Sequence, residues 1–276
     1  MLGVLLSIVV SVSAKKDLEL PPSSADNLRW HCLRQLGLTS ALSDTAPVGT
    51  DGALPLTASA FYEHSRLGRP VQRMVAGEQC WFRFSTLSRH ASQAVLESIA
   101  TLPGAGLELP DAGVLITGAT CDVKRHPWAG QSSYHALAQE RFVTVRPPPG
   151  SVRVRFCSPT AFVRYGPGDE STPLPVPLPE LVFGDLLTRW NASAPLALPD
   201  EVAAYAKQCL AASRYRLHTV PWDNGPMSLG AIGCCHYKAL DWDPYWMRMI
   251  WLLAGFGFYS GVGSCTGQGM GQIRCA

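Results

Sequence analysis

The stretch SGVGSCTGQGMGQIRCA, from Ser260 to Ala276, decides how the second half of the chain is interpreted. It holds five glycines, with Gly257 just ahead of it. Glycine reaches backbone conformations that other residues avoid, at a cost in conformational entropy. A run of this kind indicates a flexible tail, a phosphate-binding loop or a tight turn before a final strand.

Two nucleotide-binding motifs are excluded by the residues themselves. A Walker A loop requires Gly-Lys followed by Ser or Thr, and the sequence contains no such triplet. A dinucleotide fingerprint starting at Gly261 would need glycine at its sixth position, where Thr266 stands. The run also follows a predicted helix, which Asp243 and Pro244 begin, and precedes a predicted strand, 270–275. It is therefore a helix-to-strand loop, which can present N–H groups to an anion or simply turn the chain.

Composition places the chain among globular proteins. Its 276 residues are 47% hydrophobic, and the net charge of +2 is weak evidence for a polyanionic partner. The 23 basic residues include five lysines, so arginine, which binds phosphate with a planar fork, dominates. Nine cysteines show neither a C-x-x-C pair nor zinc-finger spacing, which favours reduced thiols in a cytoplasmic protein. No metal site and no cofactor are predicted.

The first residues, MLGVLLSIVVSVSAKK, favour a buried strand over a secretory signal. A signal carries positive charge before its apolar run, whereas Lys15 and Lys16 follow it. The run is rich in β-branched residues, which suit a strand over 4–12. A secreted protein that begins at Lys15 remains the alternative. The second apolar run, 245–259, is short for a membrane span and is interrupted by Arg248, so it predicts a core helix.

Strands and helices alternate in two rounds that the prolines of RPPPG, 146–150, separate as a stiff linker. We predict an α+β protein of two tandem ferredoxin-like (RRM-like) domains, 1–147 and 151–276, with a C-terminal glycine-rich loop. The first round contains strands at 4–12, 80–86 and 113–123 and helices at 25–36 and 88–100. The second contains strands at 151–158, 214–220, 231–240 and 270–275 and helices at 180–190, 200–212 and 245–259.

Three ordered motifs of the second half resemble the CRISPR-associated repeat-specific endoribonucleases of the repeat-associated mysterious protein superfamily. FYSGVGSCTGQGMGQIR is similar to the family's C-terminal glycine-rich signature. VRVRFCSPTAFVRYG, followed by TPLPVPLPELVFGDLLTRW, resembles its strand, turn and proline-rich helix entry, and SLGAIGCCHYKAL resembles the strand before the last helix. The resemblance is fainter over 1–147, where CWFRFSTLS fits. It implies processing of precursor CRISPR RNA, cut once per repeat without metal.

Metal-free RNA cleavage uses the 2′-OH of the RNA as nucleophile and needs a base, an acid and cations near the phosphate. The family's catalytic His lies on or just after the first helix, where NLRWHCLRQL places His31. On a helix, His31 and Arg34 lie together opposite the apolar stripe, which suits a base beside a phosphate clamp. Lys15 and Lys16, at the end of the first strand, are further candidates to stabilise the phosphate. Solvated surface positions remain the alternative for all four residues.

For RNA binding, Arg153 and Arg155 are two residues apart and share one face of a strand, with Arg164 in the turn that follows. A solvated outer face remains the alternative. The loop contains no Lys or Arg between its first and last glycine, so phosphate contacts there would use backbone N–H groups, and its candidates are Gly261, Gly263, Gly269 and Gly271.

The sequence thus predicts a cytoplasmic, metal-independent endoribonuclease that cuts CRISPR repeat RNA, leaving 5′-OH and 2′,3′-cyclic or 3′-phosphate ends. A non-cleaving RNA-binding subunit of a CRISPR effector complex is the alternative from another class. The expected partners are the repeat RNA and effector-complex subunits, without a membrane, and the protein is expected to be a monomer or a homodimer.

Overall fold

A computed structural model describes residues 5–20, 56–63, 70–101, 107–109, 113–165, 171–222 and 229–275. The contacts divide the chain into two compact units, Met1–Ser132 and Ser133–Ala276. The sequence-based boundary at 147–151 lies farther along the chain. The helix predicted at 25–36, which carries His31 and Arg34, lies outside the described residues.

The first unit is built on an antiparallel sheet around its first strand. Its described elements are β1 (Leu5–Ala14), β2 (Leu18–Glu19), β3 (Leu56–Ala58), β4 (Tyr62–Glu63), β5 (Arg73–Met74), β6 (Gln79–Thr86), α1 (Arg89–Thr101), β7 (Leu107–Leu109), β8 (Val114–Thr120) and β9 (Gly130–Ser132). The sheet order is β3-β6-β1-β8-β7, and β4 and β9 add short pairings to β6 and β1. The central order β3-β6-β1-β8, with α1 between β6 and β8, is that of a ferredoxin-like unit.

The large apolar cluster of the first unit lies on one face of this sheet, and Leu5 and Val9 on the other face of β1 are buried as well. Alternate residues of β1, such as Leu6 and Ile8, are fully buried and meet Phe82 and Phe84 of β6. Val95 of α1 packs on the same cluster, as the apolar positions of an amphipathic helix should.

The second unit repeats the plan. Its elements are α2 (Tyr134–Phe142), β10 (Ser151–Thr160), β11 (Phe162–Tyr165), β12 (Ser171–Leu174), α3 (Pro179–Ser193), α4 (Glu201–Cys209), β13 (Leu210–Pro221), β14 (Leu229–Ala239), α5 (Pro244–Ser260), a 3₁₀ turn (Thr266–Gln268) and β15 (Ile273–Cys275). The sheet order is β13-β14-β10-β15, all antiparallel, with helices between β10 and β13 and between β14 and β15. This too is the ferredoxin-like order, so the predicted fold class is confirmed.

Three details differ from the sequence-based prediction. The helix predicted to reach 212 ends at Cys209, because Leu210 is buried and pairs with Ala239 as the first residue of β13. The proline-rich segment after β11 forms a hairpin strand, β12, which alternation of side chains did not indicate. The last strand begins at Ile273 instead of Met270, because the intervening residues belong to the loop.

The proline-rich segment at 146–150, predicted as a stiff linker, is hydrogen-bonded to side chains of α5 and of Trp242 just before it. The Trp251 indole N–H donates to the carbonyl of Pro149 at 3.2 Å, and that of Trp242 donates to the carbonyl of Pro148 at 3.3 Å. Arg248 donates to the carbonyls of Thr144 and Arg146 at 3.2 and 3.3 Å. These bonds make the segment part of the second unit.

Candidate nucleic-acid interface

Strand β10 presents two arginines on the outer face of the sheet of the second unit. Val152, Val154 and Phe156 point into the core and are essentially fully buried. Arg153 and Arg155, on the alternate positions, are exposed. Arg153 and Arg155 therefore share one face of the strand, as predicted, because side chains two residues apart in a strand point to the same side.

The neighbouring strands add further cations to the same face. Arg153 pairs with His236 of β14, which pairs in turn with Arg214 of β13. Residues directly opposite each other in a sheet project from the same face, so these three form one row. We define the basic face by its six Lys and Arg residues: Arg153, Arg155, Arg214, Arg216, Lys238 and Arg274.

A second row on the same face, formed by Arg274, Arg155, Cys234 and Arg216, contains three cations. Arg155 stands opposite Cys234 on one side and Arg274 on the other, and Cys234 stands opposite Arg216. Like charges placed directly opposite in a sheet destabilise it. The strands β10, β13, β14 and β15 are described from end to end and contain no Asp or Glu. An anion bound on this face would therefore lower the repulsion.

The local contacts show how these cations are held. Arg153 donates from Nε to Cys234 Sγ at 3.0 Å, and this hydrogen bond raises the pKa of the Arg153 guanidinium. Partial burial lowers the pKa of Arg274, and the cation of Arg155 lowers it further, against the raising effect of Cys157. The Arg274 guanidinium also lies 5.4 Å from the ring centre of Phe258.

The glycine-rich loop directs much of its backbone inward. The N–H of Gly261 donates to the carbonyl of Gly257 at 3.0 Å, and that of Gly271 to the carbonyl of Pro159 at 2.9 Å. The N–H of Gly263 donates to Asp185 Oδ2 at 2.8 Å. These three donors have protein partners, and Gly269 is buried. The glycines therefore form the turn itself, and phosphate contacts are better sought on the basic face.

One arginine of α3 organises that loop. Arg189, buried to 8% exposure, donates to Asp185 Oδ2 at 2.8 Å, to the carbonyl of Gly263 at 2.6 Å and to Thr266 Oγ1 at 3.2 Å. The Asp185 oxygen thus accepts from both Arg189 and Gly263. Sequence reasoning missed this pair, because only the fold brings α3 to the loop.

The other candidate residues stand as follows. Lys15 and Lys16 are exposed just beyond β1, and the Lys15 N–H donates to the carbonyl of Gly113 at 2.7 Å. Arg164 lies in β11 opposite Thr172. His31 and Arg34 are outside the described residues, so their placement relative to Lys15 and Lys16 stays a prediction.

Sequence reasoning missed four cations of the basic face, namely Arg214, Arg216, Lys238 and Arg274. The alternation in RYRLHTV was a signal, since it places Arg214 and Arg216 on one side of a strand. Whether Arg214 and Arg216 lie on the same sheet face as Arg153 depends on the pairing register of β13 and β14, which shifts between Ala212 and Arg214. No local sequence pattern specifies that register.

The described residues contain neither a candidate metal site nor a helix that could span a membrane. Among them, no three His, Cys, Asp or Glu side chains are grouped as a metal site would require. No helix there is long and apolar enough to cross a membrane.

Comparison with known proteins adds an independent line of evidence. Residues 154–273 match the family model of the CRISPR-associated endoribonuclease Cas6. A comparison with curated protein sequences finds no match.

Solved structures of similar fold span nearly the whole chain. A Thermus thermophilus Cas6 superposes with a TM-score of 0.72 at 20% identity, covering 100% of both chains. One Cas6 product complex gives a TM-score of 0.77 at 22% identity over 99% of this chain and 100% of that one. A second Cas6, also solved as a product complex, gives 0.74 at 26% identity over 99% of each chain.

Two ferredoxin-like units, of which the second carries a glycine-rich loop and a basic sheet face, define the class of fold that this chain shares with those structures. The second unit is similar to the Cas6 family of CRISPR-associated endoribonucleases over 154–273, and the whole chain shares the fold of solved Cas6 structures.

Proposed function

We propose that this protein processes precursor CRISPR RNA by cutting each repeat once, without a metal ion. The match of residues 154–273 to the Cas6 endoribonuclease family model supports endonucleolytic action on repeat RNA. The single structural observation that carries the proposal is the basic face, whose cations meet across four strands that contain no acid. Such a face suits a polyanion, because cations that bind phosphates release counterions.

In the proposed reaction, the 2′-OH next to the scissile phosphate attacks the phosphorus atom while His31 removes the hydroxyl proton. The P–O5′ bond breaks as the new P–O2′ bond forms. A proton goes to the departing 5′-oxygen, which leaves a 5′-OH and a 2′,3′-cyclic phosphate. Water can open this ring to a 3′-phosphate. Arg34, Lys15 and Lys16 are proposed to stabilise the charge that develops on the phosphate.

Arg153, Arg155 and Arg164 are proposed to bind the RNA. Arg214 and Arg216, on the same face as Arg153 and Arg155, are proposed to add further phosphate contacts. The reaction is placed in the cytoplasm, where CRISPR effector subunits would receive the product. The protein is proposed to act as a monomer or a homodimer.

The decisive experiment is cleavage of repeat RNA in EDTA by the wild type, His31→Ala and His90→Ala. His90 is exposed in the first turn of α1, so its replacement is a matched control. We expect the wild type and His90→Ala to cut and His31→Ala to lose at least about a hundredfold in rate, the usual contribution of a general base. Equal cutting by all three would remove His31 from the mechanism.

A non-cleaving RNA-binding subunit is the alternative function, and the same basic face would serve it. Tight binding of the repeat RNA without cleavage, in EDTA or with added divalent ions, would favour the RNA-binding subunit over the endoribonuclease.

A further inference from the structure

One histidine lies among the cations of the basic face. His236 of β14 stands opposite Arg153 of β10 on one side and opposite Arg214 of β13 on the other. Side chains directly opposite each other have Cβ atoms about 5 Å apart, so the imidazole shares one short row with both guanidinium groups. The His236 side chain is half-buried, and among the described residues its ring has no hydrogen-bond partner. Both ring nitrogens are therefore available to a ligand.

Cations dominate the other groups around His236. Arg155 and Arg216 stand at the diagonal positions of β10 and β13, and Cys234 and Lys238 lie before and after His236 on the same face of β14. The strands β10, β13 and β14 are described from end to end and contain no Asp or Glu. In the free protein, a positive charge on the imidazole would therefore be repelled from both neighbouring strands.

A bound polyanion reverses this preference. A neighbouring anion favours the charged form of a basic group, whereas a neighbouring cation disfavours it. Histidine is the side chain whose charge changes between about pH 5 and 8, so a phosphate placed between Arg153 and Arg214 would draw a proton onto His236 near neutral pH. The imidazolium then donates from both nitrogens. Arginine and lysine carry their charge in either state and offer no such change.

The other described histidines lack this arrangement. His218 lies on the same face, in β13, but it stands opposite Ile232. The remaining described histidines lie outside the strands, at His90, His126 and His135. Among the histidines that the structure describes, His236 is thus the one with an arginine opposite it on each neighbouring strand.

From these observations we infer that His236 takes up a proton when the basic face binds RNA, and that the imidazolium adds a phosphate contact between Arg153 and Arg214. The inference rests on the proposed binding of RNA to this face, and it makes the affinity depend on pH. Because the bound state holds more protons than the free state, the Kd for RNA should rise as the pH rises.

The test is fluorescence anisotropy between about pH 6 and about pH 8 at constant salt, the range in which histidine changes charge. The probe is the repeat RNA with a 2′-deoxy nucleotide at the cleavage site, so binding is measured without cutting. His236→Gln keeps a polar side chain that does not titrate, and His236→Lys is charged throughout this range. His135→Gln is the matched control, since His135 is exposed on α2. Thermal unfolding at each pH checks that the variants remain folded.

For the wild type, log Kd should rise with pH more steeply than for His236→Gln, by up to about one unit per pH unit for one proton. His236→Lys should share the shallower slope and bind more tightly than the wild type at the alkaline end, while His135→Gln should follow the wild type. Equal slopes for the wild type and His236→Gln would overturn the inference. Weaker binding by His236→Lys at every pH would also overturn it, because it would show that the ring stacks on or reads a base.

Calorimetry in two buffers of different ionisation enthalpy counts the protons taken up on binding. The wild type should take up more than His236→Gln, by up to about one proton, and equal uptake would contradict the inference. Failure of the proposed function is a separate result. It would appear as intact repeat RNA in the cleavage assay or as no binding by the wild type at any pH, whereas binding with equal pH slopes would reject the inference alone.

Discussion

Arg189 and Asp185 form an ion pair one helical turn apart on α3, with 2.8 Å between Nε and Oδ2, and together they hold both backbone groups of Gly263. The side chains are only 10% and 27% exposed. The pair therefore connects α3 to the glycine-rich loop through largely buried hydrogen bonds.

Replacing Arg189 with Met should lower the free energy of unfolding by about 3 kcal/mol, because it leaves the Asp185 carboxylate without its cation in a mostly buried position. Urea denaturation measures this change. Thr188→Ala, on the exposed side of the same helix, is the control and should change stability little. A loss below about 1 kcal/mol for Arg189→Met would mean that the pair is weakly coupled to the fold.

Two glycines should respond to alanine with opposite signs. Gly271 has φ of 70°, and an added Cβ would lie 2.2 Å from the carbonyl oxygen of Val262, so Gly271→Ala should cost at least about 2 kcal/mol. Gly184, inside α3, has no atom within 4 Å of an added Cβ, so Gly184→Ala should stabilise by about 0.5–1 kcal/mol. Denaturation midpoints of the two variants give the comparison, and equal effects would contradict it.

Stability should fall as the pH rises above 9. Burial raises the pKa of the Cys80 thiol from 9.0 to about 11, with the Glu63 and Glu78 charges adding to the effect. Between these values the unfolded thiol loses its proton while the folded one keeps it, so the unfolded state binds fewer protons and stability decreases with pH.

Cys80→Ala removes this contribution, so its stability should fall less steeply than that of the wild type between pH 9 and about 11. Val95→Ala in the same core is the control, because it lowers stability without removing a titrating group. If the free energy of unfolding falls equally steeply with pH for Cys80→Ala and the wild type, another titrating group dominates the loss of stability above pH 9.

Removing the Arg248 guanidinium should weaken the attachment of residues 141–146 to α5. In Arg248→Ala the carbonyls of Arg141, Thr144 and Arg146 lose their donor. Hydrogen exchange of the amides at 143–146 should then become faster, while Arg248→Lys should give an intermediate rate. Unchanged exchange would show that the bonds of Trp251 and Trp242 suffice.

A repeat RNA with one 2′-deoxy nucleotide at the cleavage site should resist cutting while it binds with nearly the same Kd. The physical reason is that the proposed nucleophile is absent, whereas all the phosphates remain. Gel analysis of the products and anisotropy measure the two quantities. Cutting of this substrate at the wild-type rate would exclude the proposed nucleophile.

The two ferredoxin-like units could be predicted from sequence because their strands and helices differ in period. VRVRF alternates at two residues, and the Asp243-Pro244 start marks α5 with an N-cap whose carboxylate accepts from Tyr245 N–H at 2.8 Å. Arg153 and Arg155 could be assigned to one face for the same reason.

What could not be predicted depends on contacts between distant residues. Arg274 joins the basic face only because β15 pairs with β10, and α4 ends where the pairing of Leu210 with Ala239 begins. The inward direction of the loop's N–H groups likewise depends on Asp185 and Pro159, which no local pattern links to glycine. His31 and Arg34 remain predictions.

The inward-facing loop also affects how relatives of this protein should be recognised. The family model spans 154–273 and ends within the last strand, whereas His31 lies outside it. Since the contacts around Gly263 and Gly271 leave no room for a side chain, the loop glycines serve the fold of the second unit, and a paralogue without the histidine could keep the whole signature and act as a binding protein. Surveys of genomes should therefore score a histidine at the position of His31, the proposed base, separately before counting a matching gene as a nuclease.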